Sequence, residues 1–104
     1  MAKGFNQILQ QAKKMQDRLM KLQEEMGDKT VEAQSGGGGV TCVVNGRQEV
    51  VSLKISPDVL EEKDNELLED LVIAAITEGL NRSREMVQEE MSKVTGGMQM
   101  PFGM

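Results

Sequence analysis

The sequence predicts an α+β fold in which a helix, a three-stranded antiparallel β-meander and a long second helix follow one another. Three observations carry this expectation. Apolar residues recur at helical spacing over residues 5–26 and again from about residue 64 to 95. Between these segments, Val40, Cys42 and Val44, and then Val51, Leu53 and Ile55, alternate with other residues at the period of two that marks half-buried strands. Glycine, asparagine and proline punctuate the boundaries.

The first helix is read from Phe5 to Met26. Phe5, Ile8, Ala12, Met15, Leu19, Leu22 and Met26 form a seam with alternating spacings of three and four. Such a helix is on the order of 33 Å long. Gly27 is expected to terminate it as a C′ glycine. Its other face is basic. Residues 1–22 carry Lys3, Lys13, Lys14, Arg18 and Lys21 against Asp17 alone, a net charge of +4. The remaining 82 residues hold 7 basic and 16 acidic side chains, a net of −9. Lys14, Arg18 and Lys21 fall at i, i+4 and i+7 and share one stripe with Gln7 and Gln11.

Thr30 to Ser35 reads as the first strand, with Val31 and Ala33 on one side. Gly36-Gly37-Gly38-Gly39 then supplies a connection in which positive φ or close backbone approach is permitted. A phosphate-binding loop is disfavoured there, because a strand follows and no Gly-Lys-Ser/Thr is present. The next two strands are expected to form a hairpin on a type I′ turn at Asn45-Gly46, placing Val44 opposite Arg47, Cys42 opposite Glu49 and Val40 opposite Val51. One face would then carry Val40, Cys42, Val44, Val51, Leu53 and Ile55, and a lone hairpin needs that face covered. Ser56-Pro57-Asp58 offers a cap and a proline suited to a first helical turn. Residues 58–70 carry seven acids and one lysine. Acids early in a helix complement its N-terminal dipole, which explains most of this cluster.

The last helix is expected from an N-cap at Asp64 to about Thr95, roughly 48 Å. A compact chain of this length has a radius of gyration of only about 13 Å, so the helix must project or be covered by another subunit. Its first half, with Leu67, Leu68, Leu71, Val72, Ala74, Ala75, Ile76 and Leu80, is apolar on more than one side and favours an intersubunit surface. Residues 1–95 are thus read as a single domain. The tail 96–104, GGMQMPFGM, lacks periodicity and is expected to be mobile.

Composition narrows the function classes. At 104 residues, with 2 Phe and no Tyr or Trp, the core is aliphatic and small, and such chains often complete it by oligomerising. The bulk charge of −5 speaks against an anionic partner, but it hides the basic first helix. With no His and one Cys, the usual zinc sites cannot be assembled and an internal disulfide is excluded. Cys42 is expected to be a buried hydrophobe rather than a reactive thiol. No apolar run approaches a membrane span and no signal peptide is recognisable, so a cytosolic protein is expected. The acid pairs Glu24-Glu25 and Glu89-Glu90 have no recognisable catalytic partner, and an enzyme is disfavoured.

Several stretches, in this order, resemble the YbaB/EbfC family of nucleoid-associated proteins over essentially the whole chain. They are QQAKKMQDRLMKLQEEM, GGGGVTCVVNG, SLKISPDVL, LLEDLVIAAITEGL and GGMQMPFGM. The resemblance implies a bacterial, cytoplasmic, intertwined homodimer in which sheets and long helices form the interface and helix pairs project like tweezers. It also implies binding of double-stranded DNA with an organising or regulatory role in the nucleoid. Where many relatives have a more basic stretch in the final helix, this chain has Asn81-Arg82-Ser83-Arg84 followed by Glu85, Glu89 and Glu90. The candidate DNA-binding residues are Lys3, Lys13, Lys14, Arg18, Lys21, Arg82 and Arg84, acting on phosphates by counterion release. No cofactor, metal, membrane or small-molecule substrate is expected. The alternative is a protein-interaction module using the seam and the methionines Met15, Met20, Met26, Met86 and Met91 as an adaptable apolar surface.

Overall fold

The structure is a computed structural model that describes residues 2–95, with side chains described over 4–93. The elements are α1 (Ala2–Asp28), β1 (Thr30–Ser35), a 3-10 turn (Gly36–Gly38), β2 (Val40–Asn45), β3 (Val50–Ile55), α2 (Pro57–Glu61) and α3 (Asn65–Thr95). The three strands form an antiparallel meander in the order β1-β2-β3. The expected tail at 96–104 lies outside the described residues.

The hairpin differs from the expectation. Gln48 N donates to Asn45 O at 3.1 Å, and Asn45 N donates to Glu49 O at 3.0 Å. Gly46, Arg47 and Gln48 therefore form a three-residue loop whose last member, Gln48, takes the left-handed conformation at φ 65°. The Asn45 side chain holds this loop as its Oδ1 accepts from the backbone N–H of Arg47 (2.9 Å) and Glu49 (3.1 Å). Val40 faces Ile55, Cys42 faces Leu53 and Val44 faces Val50, with a shift between Val43 and Val44. The pairing of Val40 has moved by four residues, an even number, so Leu53 and Ile55 keep their expected face. At the irregularity Val50, rather than Val51, comes to lie opposite Val44.

Gly46 serves a different purpose from the one expected. A Cβ there would lie 2.5 Å from Met26 O, and its N–H donates to Met26 O (2.8 Å) and Lys29 O (3.0 Å). The glycine lets the hairpin press against the end of α1. Gly27 is likewise not a C′ residue, for α1 runs through it to Asp28. Its missing Cβ leaves room for the Arg47 guanidinium, whose Nε would be 2.8 Å away. The glycine run does adopt positive φ, at Gly36, Gly37 and Gly38. Pro57 opens α2, and Asp64 Oδ1 caps α3 by accepting from Leu67 N at 3.1 Å.

The core sits between the sheet and α3. Val40, Cys42, Val44 and Ala75 are fully buried, with Val31, Ile55, Leu71, Val72, Ile76 and Leu80 packed around them. Gly79 brings the helix backbone close to β2, where a Cβ would meet Val44 Cγ2 at 2.8 Å. Ser83, also buried, donates to Asn45 O and accepts from Gln48 Nε2, tying the hairpin loop to α3. The helix lies across β1 and β2 and leaves β3 open. Val50, Val51 and Leu53 on β3, and Ile73 on the far side of α3, are consequently exposed.

The chain is elongated, 72 × 27 × 17 Å with a radius of gyration of 20.1 Å. This far exceeds the value of about 13 Å for a compact chain of this size. The seam of α1 shows the cause. Leu22 and Met26 are buried, Met15 and Leu19 half-buried, and Phe5, Ile8 and Ala12 exposed. Only the last turns of α1 are anchored, and its first half projects.

Candidate nucleic-acid interface

On α1, Lys13, Lys14, Arg18 and Lys21 are all exposed. The stripe of Lys14, Arg18 and Lys21 flanks the seam, with Arg18 one turn from the buried Leu22. Among the described residues, none of the ion pairs engages these four cations. Lys3 lies in α1, but its side chain falls outside the described ones.

The two arginines of α3 do not join this surface as a pair. Positions two apart on a helix differ by about 200° in direction. Arg82 turns to the sheet, where Nη1 donates to Glu32 O at 2.7 Å and Nε pairs with Glu78 at 3.1 Å. Arg84 Nη1 donates to Asn81 Oδ1 at 3.2 Å. The predicted residues Arg18 and Lys21 do come together, in a groove of about 320 Å³ that is also lined by Leu22, Glu25 and Lys93. Lys93 was missed by sequence reasoning. Its only local signal is a place in the last turn of α3, where a cation complements the C-terminal dipole.

Glu90 links the two helices. Its Oε1 accepts from Lys29 Nζ at 3.0 Å, just past the end of α1, and from Lys93 Nζ at 3.4 Å within α3. The hydrogen bond from Lys29 is the main reason its carboxyl is held below the usual glutamate range. Beside this tie lies a more apolar cavity of about 570 Å³, lined by Met20, Leu22, Met26, Val87 and Met91 with Arg47 at the hairpin. Three of the five methionines singled out for a protein-interaction surface thus meet there. Cys42 is buried as expected, and desolvation raises its thiol pKa. Among the described residues there is no group of acids, His or Cys able to hold a metal ion. Nor is any described helix long and apolar enough to cross a membrane.

The arrangement is that of a small binding protein, open along apolar faces and presenting unpaired cations on one projecting helix. Comparison with known proteins supplies the family. Residues 1–98 match the model of the YbaB/EbfC DNA-binding family, and the chain belongs to it. A nucleoid-associated protein of Syntrophobacter fumaroxidans is 50% identical over 101 residues, covering 97% of this chain and 91% of that one. Another, from Thermoanaerobacter pseudethanolicus, is 48% identical over 108 residues, covering 97% of each. The crystal structure of an uncharacterized protein from Helicobacter pylori superposes with a TM-score of 0.67 at 29% identity, covering 90% of this chain and 95% of that one. The family is a DNA-binding one and not an enzyme family.

Proposed function

We propose that residues 1–95 act as a single unit that binds double-stranded DNA as a homodimer, mainly through phosphates, and so organises the nucleoid or regulates genes within the cytoplasm. The observation that carries this reading is the set of unpaired, exposed cations on α1 in a chain that is otherwise acidic. Phosphate contacts of this kind hold a duplex without reading its sequence. The homodimer is supported by the open face of β3, where Val50, Val51 and Leu53 lie exposed beside a small core. A second reading, a protein-interaction module, is favoured by the methionine-lined cavity between α1 and α3.

A duplex titration across a salt series tests the first reading. With about four to six phosphates neutralised per dimer, the log–log slope is expected at roughly −4 to −5. Exchanging Lys14, Arg18 and Lys21 for Glu is expected to abolish binding while helicity and dimer mass stay unchanged, since these exposed side chains flank the seam and do not form it. If the triple variant binds duplex as well as the parent at low salt, α1 is not the DNA surface and the interaction module takes precedence.

A further inference from the structure

The groove between α1 and the end of α3 collects charge that neither helix presents alone. Arg18 and Lys21 reach it from α1 and Lys93 from α3, and among the described residues Glu25 is the only acid of its lining, with Glu90 beside it paired to Lys93 and Lys29. Three cations stand against one carboxylate, a net of +2 from residues far apart in a chain of net charge −5.

The ion pairs around Glu90 leave Lys93 available. Lys29 and Lys93 approach the same oxygen, Lys29 at 3.0 Å and Lys93 at 3.4 Å. The Lys93 side chain is 66% exposed, so its pairing is the screened, weak kind. Lys29 holds the closer contact and ties the base of α1 to α3. An anion entering the groove takes Lys93 from an oxygen that remains paired, so Glu90 is not stranded.

We propose that a DNA phosphate enters this groove between the two helices of one protomer, with Arg18, Lys21 and Lys93 as its contacts. This rests on the DNA-binding reading above and specifies the path: the backbone runs into the cleft between α1 and α3, not only along the outer face of α1. Arg18 supplies a planar fork matched to two phosphate oxygens, and the two lysines supply point charges around it. Glu25 opposes the phosphate and weakens the site. Lys93 is the contribution of α3 to the interface, in place of Arg82, which the sheet engages.

The test is fluorescence anisotropy of a labelled duplex titrated with full-length protein between low and moderate salt. Lys93→Gln is expected to weaken binding roughly fivefold. It should also make the log–log salt slope shallower by about one for each phosphate left without its lysine, thus by up to about two per dimer. Lys93→Arg is expected to retain parental affinity, and Glu25→Gln to tighten binding several-fold. Unchanged circular dichroism and sedimentation mass establish that each variant is folded. Should Lys93→Gln and Glu25→Gln both bind as the parent does, while the triple reversal on α1 loses binding, the groove is not on the path although the DNA-binding reading stands. A parent that binds no duplex at any salt overturns both.

Discussion

Replacing Gly46 with alanine tests how α1 is attached to the rest of the protein. The added methyl carbon would sit 2.5 Å from Met26 O and 2.7 Å from Met26 Cβ. Non-bonded heavy atoms prefer about 3.5 Å, so hairpin and helix end must part by roughly 0.8–1 Å. The obstacle is mainly backbone, which cannot swing aside as a long side chain does. Separation strains the hydrogen bonds from Gly46 N to Met26 O (2.8 Å) and Lys29 O (3.0 Å) and loosens the packing of Leu22 and Met26. Overpacking together with one weakened hydrogen bond amounts to about 2–3 kcal/mol. For a domain of this size that corresponds to a fall in Tm of roughly 10–20 °C at fixed protein concentration. Gly37→Ala is the control. Its φ of 66° makes a side chain costly, but nothing lies within 4 Å of the new carbon, so the loss is limited to about 1 kcal/mol. Differential scanning calorimetry of both variants decides the matter. If Gly46→Ala melts within about 3 °C of the parent, or Gly37→Ala is the worse of the two, Gly46 is not the contact that seats α1.

Three further outcomes follow from the same structure. Cys42, buried with a raised thiol pKa, should label slowly with thiol reagents in native protein, and labelling as fast as in denaturant would overturn its placement. Leu53→Asp puts a charge on the open face of β3, and sedimentation mass and helical signal should fall together at micromolar concentration; a parent that sediments as one fully helical monomer would refute the homodimer. Glu90, whose carboxyl pKa is lowered chiefly by Lys29, favours the folded state fully above the ordinary glutamate pKa. That contribution disappears as pH falls through the lowered value. Carboxyl NMR should show Glu90 titrating below the usual range in the parent and closer to that range in Lys29→Gln, where Lys93 still acts on it; identical titrations would remove the tie between the helices.

Much of the architecture was legible because local and tertiary demands agree. The seam of α1, the limits of β1 and the Asp64 cap each follow from side chains acting within a few residues of themselves. The hairpin was misread because its glycine answers a distant partner. Asn45-Gly46 has the chemistry of a two-residue turn, but Gly46 is needed against the Met26 carbonyl, and the left-handed conformation passes to Gln48, a residue with no turn signal of its own. The site divides in the same way. Lys14, Arg18 and Lys21 could be placed on one stripe by helical arithmetic. Lys93 has no place beside Arg18 and Lys21 until α3 is laid beside α1, a juxtaposition of residues more than seventy apart in the chain. Arg82 looked free in sequence, yet the Glu32 carbonyl engages it.

The anchoring of α1 by its final turns alone makes it a lever with its fulcrum at Met26 and Gly46. Lys14 stands about 18 Å along the helix from that point and Phe5 about 31 Å, so a swing of about 10° carries the first by roughly 3 Å and the second by roughly 5 Å. Displacements of that size would require only the easing of side-chain contacts at one end, with the helix itself kept straight. On the DNA-binding reading proposed above, tilting this rigid rod would let it follow a duplex whose groove width and backbone path vary along its length. Lys21 and Arg18, about 8 and 12 Å from the fulcrum, move least, and Lys13 and Lys14 sweep the wider arc, so on that reading grip and accommodation fall to different turns of the same helix.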